Sequence, residues 1–274
     1  MVGARIGARM RSLALAVLLA GLASDAGAEA LRVGGTGAMT EAMRQLGARF
    51  SADTGVSFEI VPNLGSNGGL RAIAAGALDL SVAGRPLTAD ETARGLHEVL
   101  ALSTPYVIVT SHRRPTGVKA ADVAGLFSDA GATWADGQGV RVILRPKTDS
   151  DTGTMGELFP GAAAAITVAR ARADVPTAAT DGDNADTAER TPGSLTGATY
   201  VQILLEKRNL RFVPIDGVEP SIESFERGDY KQRKLLRFVL PATGSPAAER
   251  FIAFLRSPDG IAALRGMGVL PAAT

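Results

Sequence analysis

The sequence predicts an α/β protein, and three observations carry that prediction. Past residue 28, short β-branched runs alternate with stretches whose apolar residues recur at helical spacing. Three of the strand-to-helix junctions are bare loops of Gly, Ser and Thr. The leading segment reads as an export signal, and the chain behind it is long enough to bury its own core.

The elements follow in order. Arg5, Arg9 and Arg11 precede the apolar run "LALAVLLAGLA" (13–23), and Ala26-Gly27-Ala28 offers a small-residue cleavage site. That order of charge, apolar core and A-x-A is a secretory signal peptide over 1–28. The run is about half the length a bilayer span needs. No later stretch is long and apolar enough to span, so no membrane insertion is expected once the signal is cleaved. "ALRVGG" (30–35) reads as a strand, and "MTEAMRQLGARFSADTG" (39–55) as a helix with Met39, Met43, Leu46 and Phe50 on one face. "VSFEIVP" (56–62) is a strand, "GGLRAIAAGA" (68–77) a helix behind the bare loop "GSNGG", and "LDLSVAG" (78–84) a strand. This is a βαβαβ unit with a parallel sheet. Thr88 and Glu91 form a capping box for the next helix.

"TPYVIVTSH" (104–112) is the most strand-like run, followed by a helix over 117–128. "GVRVILRP" (139–146) reads as a strand leading into the polar "KTDSDTGTMGEL". The stretch 176–198 is poor in large apolar residues and reads as loop, with room for one short surface helix. Residues 211–220 and 234–242 are the last strand candidates, before the amphipathic helices "PAAERFIAFLRS" and "PDGIAALRGMG". There is no internal repeat. About 245 residues remain after the signal, enough to divide into two lobes.

Composition excludes several functions. Removing 1–28 takes three of 29 basic and one of 28 acidic residues, leaving 26 against 27. A nearly neutral chain has no electrostatic footprint for nucleic acid or anionic lipid. With no cysteine there is no disulfide framework, thiolate metal site or lipid-bearing cysteine. The chain is therefore expected free in the periplasm. The two histidines, His97 and His112, read as surface residues, so no metal or metal cofactor is expected. "TDSD" (148–151) suits a hard cation less well than a solvated turn.

No G-x-S-x-G surrounds Ser66 or Ser194, and no S-x-x-K occurs, so no catalysis is expected. A nucleotide loop fails as well: there is no P-loop motif, and "GGTGAMT" lacks the third glycine of the dinucleotide fingerprint.

What remains is three loops of one design: "VGGTGAM" (33–39), "LGSNGGL" (64–70) and "DTGTMGEL" (151–158). In an α/β sheet such loops gather beyond the carboxyl ends of the strands, where ligands bind. Each brings unpaired helix-initial N–H groups and a hydroxyl: Thr36, Ser66, and Thr152 with Thr154. A helix N-terminus favours an anion by about 0.3–1 kcal/mol, and up to about 2 when partly buried. Each hydrogen bond to a charged group contributes about 1.5–3 kcal/mol. Together they suit a small oxyanion held without a metal. Arg145, before the third loop, suits a bidentate oxyanion contact or an ion pair, and Arg85 is a second candidate cation. "KQRK" (231–234) and "RR" (113–114) read as solvated charge, and Trp134 as packing.

With these loops aligned, the sequence resembles the PstS-like phosphate-binding protein family of bacterial ABC importers. The resemblance covers nearly all of the chain behind the signal. It rests on "GGTGAM", "GSNGGLRAIAAGALDLSVAGRPLT", "TPGSLTGATY" (191–200), "IDGVEPSIESFERGDY" (215–230) and the C-terminal "LLRFVLPATGSPAAERFIAFLRSPDGIAALRGMGVLP". It implies a two-lobed type II periplasmic binding protein fold. Each lobe is a mainly parallel sheet flanked by helices, and two hinge strands join them, for which "YVIVTS" and "LRFVLPA" are the candidates. The first lobe would take 29–110 and the returning 238–274, the second 111–237.

The resemblance further implies a monomer that captures an oxyanion, most readily phosphate, for an inner-membrane permease. Sulfate, molybdate, tungstate, a small organic anion, or a sensor role are the alternatives. Carried over, the site comprises Thr36, Gly37 and Ala38, then Ser66 and Asn67, with Arg145 and Thr152-Gly153-Thr154. Arg85 is the alternative cation. Two departures stand out. Gly84 lies where the best-known members place an aspartate that accepts the proton of phosphate. The interval between Arg145 and Thr152 is also longer than the family's. Asp149 and Asp151 are candidates to replace the missing carboxylate.

Overall fold

A parallel three-stranded unit opens the fold: β1 (Ala30–Gly35), α1 (Thr40–Thr54), β2 (Ser57–Val61), α2 (Gly65–Ala74) and β3 (Leu80–Ala83). The computed structural model describes residues 30–272, so the expected signal peptide lies outside the described residues. β1 pairs in parallel with both β2 and β3. Met43, Leu46 and Phe50 of α1 are buried as their spacing requires, and Gly55 ends the helix at φ 73°.

The bare "GSNGG" is not a loop before α2 but its first turn, because the helix begins at Gly65 and not at Gly68. Its glycine content has a packing cause at Gly69. A Cβ there would lie 2.6 Å from the Gly35 Cα and 2.5 Å from the Ser81 Oγ. The short α3 (Ala89–Ala93) carries the expected capping box from Thr88 and Glu91.

The long strand β4 (His97–Thr110) begins seven residues before the run that announced it. Over His97–Pro105 it pairs antiparallel with β8 (Arg233–Leu240), with a bulge between Glu98 and Leu100. From Tyr106 it pairs instead with β6 (Ser194–Thr199). The change of partner falls at Pro105, a residue with no N–H to give to a ladder. β8 also pairs antiparallel with β3, and β5 (Arg141–Val142) pairs in parallel with β6. The mixed sheet runs β2-β1-β3-β8-β4-β6-β5, and β7 (Arg211–Phe212) and β9 (Leu270–Pro271) add to β4.

Two main cores sit along this sheet. One joins Leu31, Met43, Phe50, Val82, Phe238 and Phe251, and the other Tyr106–Val109, Phe127, Trp134, Met155, Phe159 and Leu195. β4 feeds both, with Leu102 in the first and Tyr106 onward in the second.

The second half departs from expectation in several places. The helix expected over 117–128 is a 3-10 turn (Ala120–Asp122) followed by α4 (Val123–Ser128). The strand over 139–146 shrinks to β5, and the polar run behind it is α5 (Ser150–Leu158), capped by the Asp149 carboxylate accepting from the Asp151 N–H. "TDSD" is therefore a helix start and not a solvated turn. The alanine-rich α6 (Ala162–Arg170) follows.

In 176–198 the structure has α7 (Asp181–Arg190) and all six residues of β6 buried. β6 is made of Ser, Thr, Gly and Ala with one Leu, because it lies against bulky neighbours; a Cβ on Gly197 would fall 2.1 Å from the Tyr106 Oη. α8 (Tyr200–Leu205) and α9 (Ile222–Glu226) lead to β8. α10 (Pro246–Arg256) and α11 (Pro258–Gly266) close the chain, capped by Ser245 and Ser257. Among the described residues no helix is long and apolar enough to cross a membrane.

Candidate ligand-binding site

Four helical starts converge on one cavity of about 220 Å³. The 3-10 turn at Gly37–Met39 leading into α1 and the first turn of α2, whose Leu70 and Ile73 lie in a third small cluster, face it from the side of β1–β3; the starts of α5 and α7 face it from the second core. Its walls include Gly37, Gly65 through Gly68, Arg71, Arg145, Thr148, Asp149, Ser150, Thr180 and Asp181. Helix starts carry unpaired N–H groups and positive dipole ends, so the geometry favours negative charge.

Polar contacts cross the cavity's floor and rim. The Ser66 Oγ accepts the Gly84 N–H at 2.8 Å and meets the Ser150 Oγ at 3.3 Å. The Asn67 amide donates to the Thr148 carbonyl at 2.9 Å. On the opposite side a Cβ on Gly37 would lie 2.6 Å from the Asp181 Oδ2, so the 3-10 turn can approach α7 this closely only with glycine.

The charges are layered. The Arg145 side chain is 5% exposed. It donates to Asp149 at 2.8 Å and to the Ala178 carbonyl at 3.2 Å, and stands 3.7 Å from Asp181. Its Nε is buried without a hydrogen-bond partner among the described residues. Deeper, the fully buried Lys234 ammonium binds the Asp151 carboxylate, the Ser150 Oγ at 3.1 Å and the Thr154 Oγ1 at 3.3 Å. Three carboxylates thus face two buried cations, with Arg71 a further cation on the wall. Burial first, and the Asp151 charge second, push Asp181 up to about 7 against the pull of Arg145. Asp149 is raised for the same reasons.

Lys234 overturns the reading of "KQRK" as solvated charge. It falls on the same face of β8 as Leu236 and Phe238, so strand alternation turns it inward while Arg233 stays exposed. The period-two pattern through "KLLRF" held that signal. Lys234 also accounts for Gly84. A Cβ there would lie 2.7 Å from both the Lys234 Cε and the Ser150 Oγ, so the place of a side chain at 84 is already filled.

Of the residues anticipated from sequence, Gly37, Ser66, Asn67 and Arg145 come together at the cavity. Thr36 and Ala38 are buried behind it, with the Thr36 N–H donating to the Val82 carbonyl at 2.8 Å. Arg85 lies outside the wall, forked onto Glu91 at 2.7 and 2.8 Å and bracing Asn67 from behind at 2.7 Å. That fork holds Glu91 down to about 2. Thr152, Gly153 and Thr154 are the third to fifth residues of α5 and do not line this cavity; the Thr152 and Thr154 hydroxyls donate to the Pro146 and Ser150 carbonyls, each at 2.9 Å.

The helix begins earlier than its hydroxyl run suggested, so Thr148, Asp149 and Ser150 stand where those residues were expected. Asp181 and Arg71 were missed outright. For Asp181 the signal was the capping box of Thr180 and Asp183. His112 is not a surface residue. It is buried, stacked on Trp134 at 5.1 Å and bonded to Asp136 at 2.9 Å, whereas His97 is exposed. Trp134 packs in the second core. Among the described residues no cluster of His, Asp or Glu is arranged to hold a metal ion.

Paired α/β cores with helix starts around a shared cavity are the architecture of periplasmic solute-binding proteins. A family model described as a PBP superfamily domain (PBP_like_2) matches residues 20–259, and the chain belongs to that superfamily. Among solved structures it is similar to a phosphate ABC transporter substrate-binding protein of Clostridium perfringens with bound phosphate. The TM-score is 0.77 at 16% identity, over 89% of this chain and 100% of that one. An ABC-type phosphate transport receptor of Vibrio cholerae gives a TM-score of 0.61 at 13% identity over 89% and 100%. The periplasmic molybdate-binding protein of Azotobacter vinelandii gives 0.57 at 14% identity over the same shares. No curated protein sequence matches the chain.

Proposed function

We propose that the protein is a non-catalytic periplasmic solute-binding protein. It captures a small oxyanion, phosphate first, and delivers it to the permease of an ABC importer. The observation that carries this reading is the Arg145 guanidinium: buried, bordering a cavity ringed by four helical starts, with a donor left unpartnered. A buried unmet donor is costly in an empty site and is satisfied by an acceptor placed there. Ser66, Ser150 and the first N–H groups of α2 and α5 supply further donors, and a dehydrated oxyanion among them needs no metal.

The two cores are read as lobes, 29–110 with 238–274 and 111–237, that close over the ion by bending β4 and β8. Capture and release then need no partner chain, and the protein works as a monomer. The similarity to both phosphate and molybdate binders makes another oxyanion the second reading.

Isothermal titration with phosphate, sulfate, molybdate and tungstate tests the proposal. At least one of these is expected to bind at micromolar concentration or tighter, with affinity lost in Arg145→Ala and reduced in Ser66→Ala. Absence of any binding below millimolar would sink the reading. Undiminished binding in both variants would move the site elsewhere.

A further inference from the structure

We infer that Lys234 is a positioning residue of this site: from behind the start of α5 it fixes the Ser150 hydroxyl as a donor into the cavity, toward a bound oxyanion. The inference rests on the oxyanion reading above and adds the residue that sets the direction of one of its donors.

A lysine ammonium carries three donors and no acceptor; a serine hydroxyl carries one donor and two acceptor sites. The Lys234 ammonium directs its donors to the Asp151 carboxylate, to the Ser150 Oγ at 3.1 Å and to the Thr154 Oγ1 at 3.3 Å. The Ser150 oxygen therefore accepts on that side, and its own hydrogen cannot point back along the bond. The Thr154 hydroxyl hydrogen is given to the Ser150 carbonyl at 2.9 Å. On its other side the Ser150 Oγ meets the Ser66 Oγ at 3.3 Å, and Ser66 already accepts the Gly84 N–H at 2.8 Å. Two hydroxyl hydrogens thus remain for one contact between oxygens. At least one of them is left for the cavity that both serines line, and an oxyanion there can accept both.

Pairing with Asp151 would by itself account for a lysine that only supports the fold. The bond to Ser150 ties Lys234 to the site, because Ser150 is the one of its three partners that lines the cavity. Lys234 does not line that cavity itself, and its side chain is 0% exposed. It is held from several sides. β8 presents it opposite Thr104, the Tyr106 ring lies 5.9 Å from its Nζ, and a Cβ at Gly84 would fall 2.7 Å from its Cε. A buried cation behind a hydroxyl polarises it and strengthens the bond that it gives in front.

The test is calorimetric titration of the purified protein with whichever of phosphate, sulfate, molybdate and tungstate it binds most tightly. Ser150→Ala is expected to lower the affinity by about tenfold or more, as loss of a bond to a charged group does. Lys234→Met with Asp151→Leu removes one charge of each sign, so the net charge is kept while the hydroxyl is released. Its affinity is expected to fall by about threefold to tenfold. Adding Ser150→Ala to that pair is expected to bring the affinity no more than about threefold below that of Ser150→Ala alone, since the lysine acts through the hydroxyl. Asp151→Asn breaks the ion pair but leaves the ammonium on Ser150, so its affinity is expected to stay within about threefold of wild type or to rise.

Unchanged affinity in Ser150→Ala or in the Lys234–Asp151 double variant overturns the inference and leaves the oxyanion reading standing. Losses that add in full do the same, as does a tenfold loss in Asp151→Asn, which would make the ion pair the element that matters. Should the double variant fail to fold, Lys234→Met with Asp151→Asn takes its place under the same expectations. No binding of any of the four anions to the wild type overturns both readings together.

Discussion

Gly37 shows how closely a single residue can be tied to closure. Its Cα faces the Asp181 carboxylate from across the cavity, with no room for a methyl group between them. Under the proposed closure, Gly37→Ala would penalise the arrangement seen here and leave an opened one untouched. Overpacking of this kind costs about 1–3 kcal/mol, and each 1.4 kcal/mol is about tenfold in affinity. Oxyanion affinity is expected to fall by about tenfold or more while the melting temperature of the ligand-free protein hardly moves. Equal affinity in titration would show that the turn does not bear on binding.

That Gly37, Ser66, Asn67 and Arg145 would gather at one cavity was legible in the sequence, because they lie in or just before the strand-to-helix glycine loops. Asp181 was not legible. It lies in a stretch with almost no large apolar residues, where hydropathy carries no information, and only its helix cap marks it.

At the scale of elements, the pair joining β8 to α5 is the contact most exposed to mutation. Lys234 is fully buried, and among the described residues Asp151 is its one ion-pair partner, with Ser150 and Thr154 accepting weaker bonds. Removing one partner of such a pair strands the other, at a cost of about 3–5 kcal/mol, whereas an apolar replacement of both is often close to neutral. Lys234→Met is expected to lower stability by that amount in chemical denaturation, and Lys234→Met with Asp151→Leu to recover most of it. A double variant as unstable as the single one would place the stabilisation in the bonds to Ser150 and Thr154 instead.

The same scale explains what sequence reading achieved. α1, α3, α10 and α11 were found by periodicity and caps, since each has an apolar stripe or a Ser/Thr start. The start of α5 was taken for a loop ahead of a helix because Asp, Thr and Gly favour turns locally. Its cap at Asp149, the Lys234–Asp151 pair and packing of Met155 override that preference. β6 escaped because small residues carry little hydropathy, even where burial is complete.

For the whole molecule, the question is how two cores communicate. β4 belongs to both, and the cavity between the helix starts is bridged by few contacts: Asn67 to Thr148, Ser66 to Ser150, and Gly37 against Asp181. α8 also joins the two cores, with Val201 in the first and Ile203 in the second, so the proposed closure would remake the contacts across the cavity around a β4 and α8 that stay shared. Small-angle scattering is expected to show a smaller radius of gyration when saturating phosphate or another bound oxyanion is added, with no change in Arg145→Ala. An unaltered scattering profile on demonstrated binding would mean that the lobes do not close. The α/β class was visible in the alternation of strands and helices from the outset. The register that lets one strand serve two cores was not, because the switch of partner at Pro105 depends on β6 and β8, which lie far along the chain.

The tail adds a practical point. β9 pairs with β4 at Leu102 and Ser103, and the Ala272 N–H continues the ladder to the Ala101 carbonyl at 3.1 Å. The end of the described chain is thus stitched to the strand that the proposed closure would bend. Since the natural sequence has no cysteine, one introduced as Ala272→Cys would be a unique attachment point for an environment-sensitive dye. Such a label would sit beside that strand and away from the cavity, so that under the proposed closure the molecule becomes an optical gauge of its own ligand.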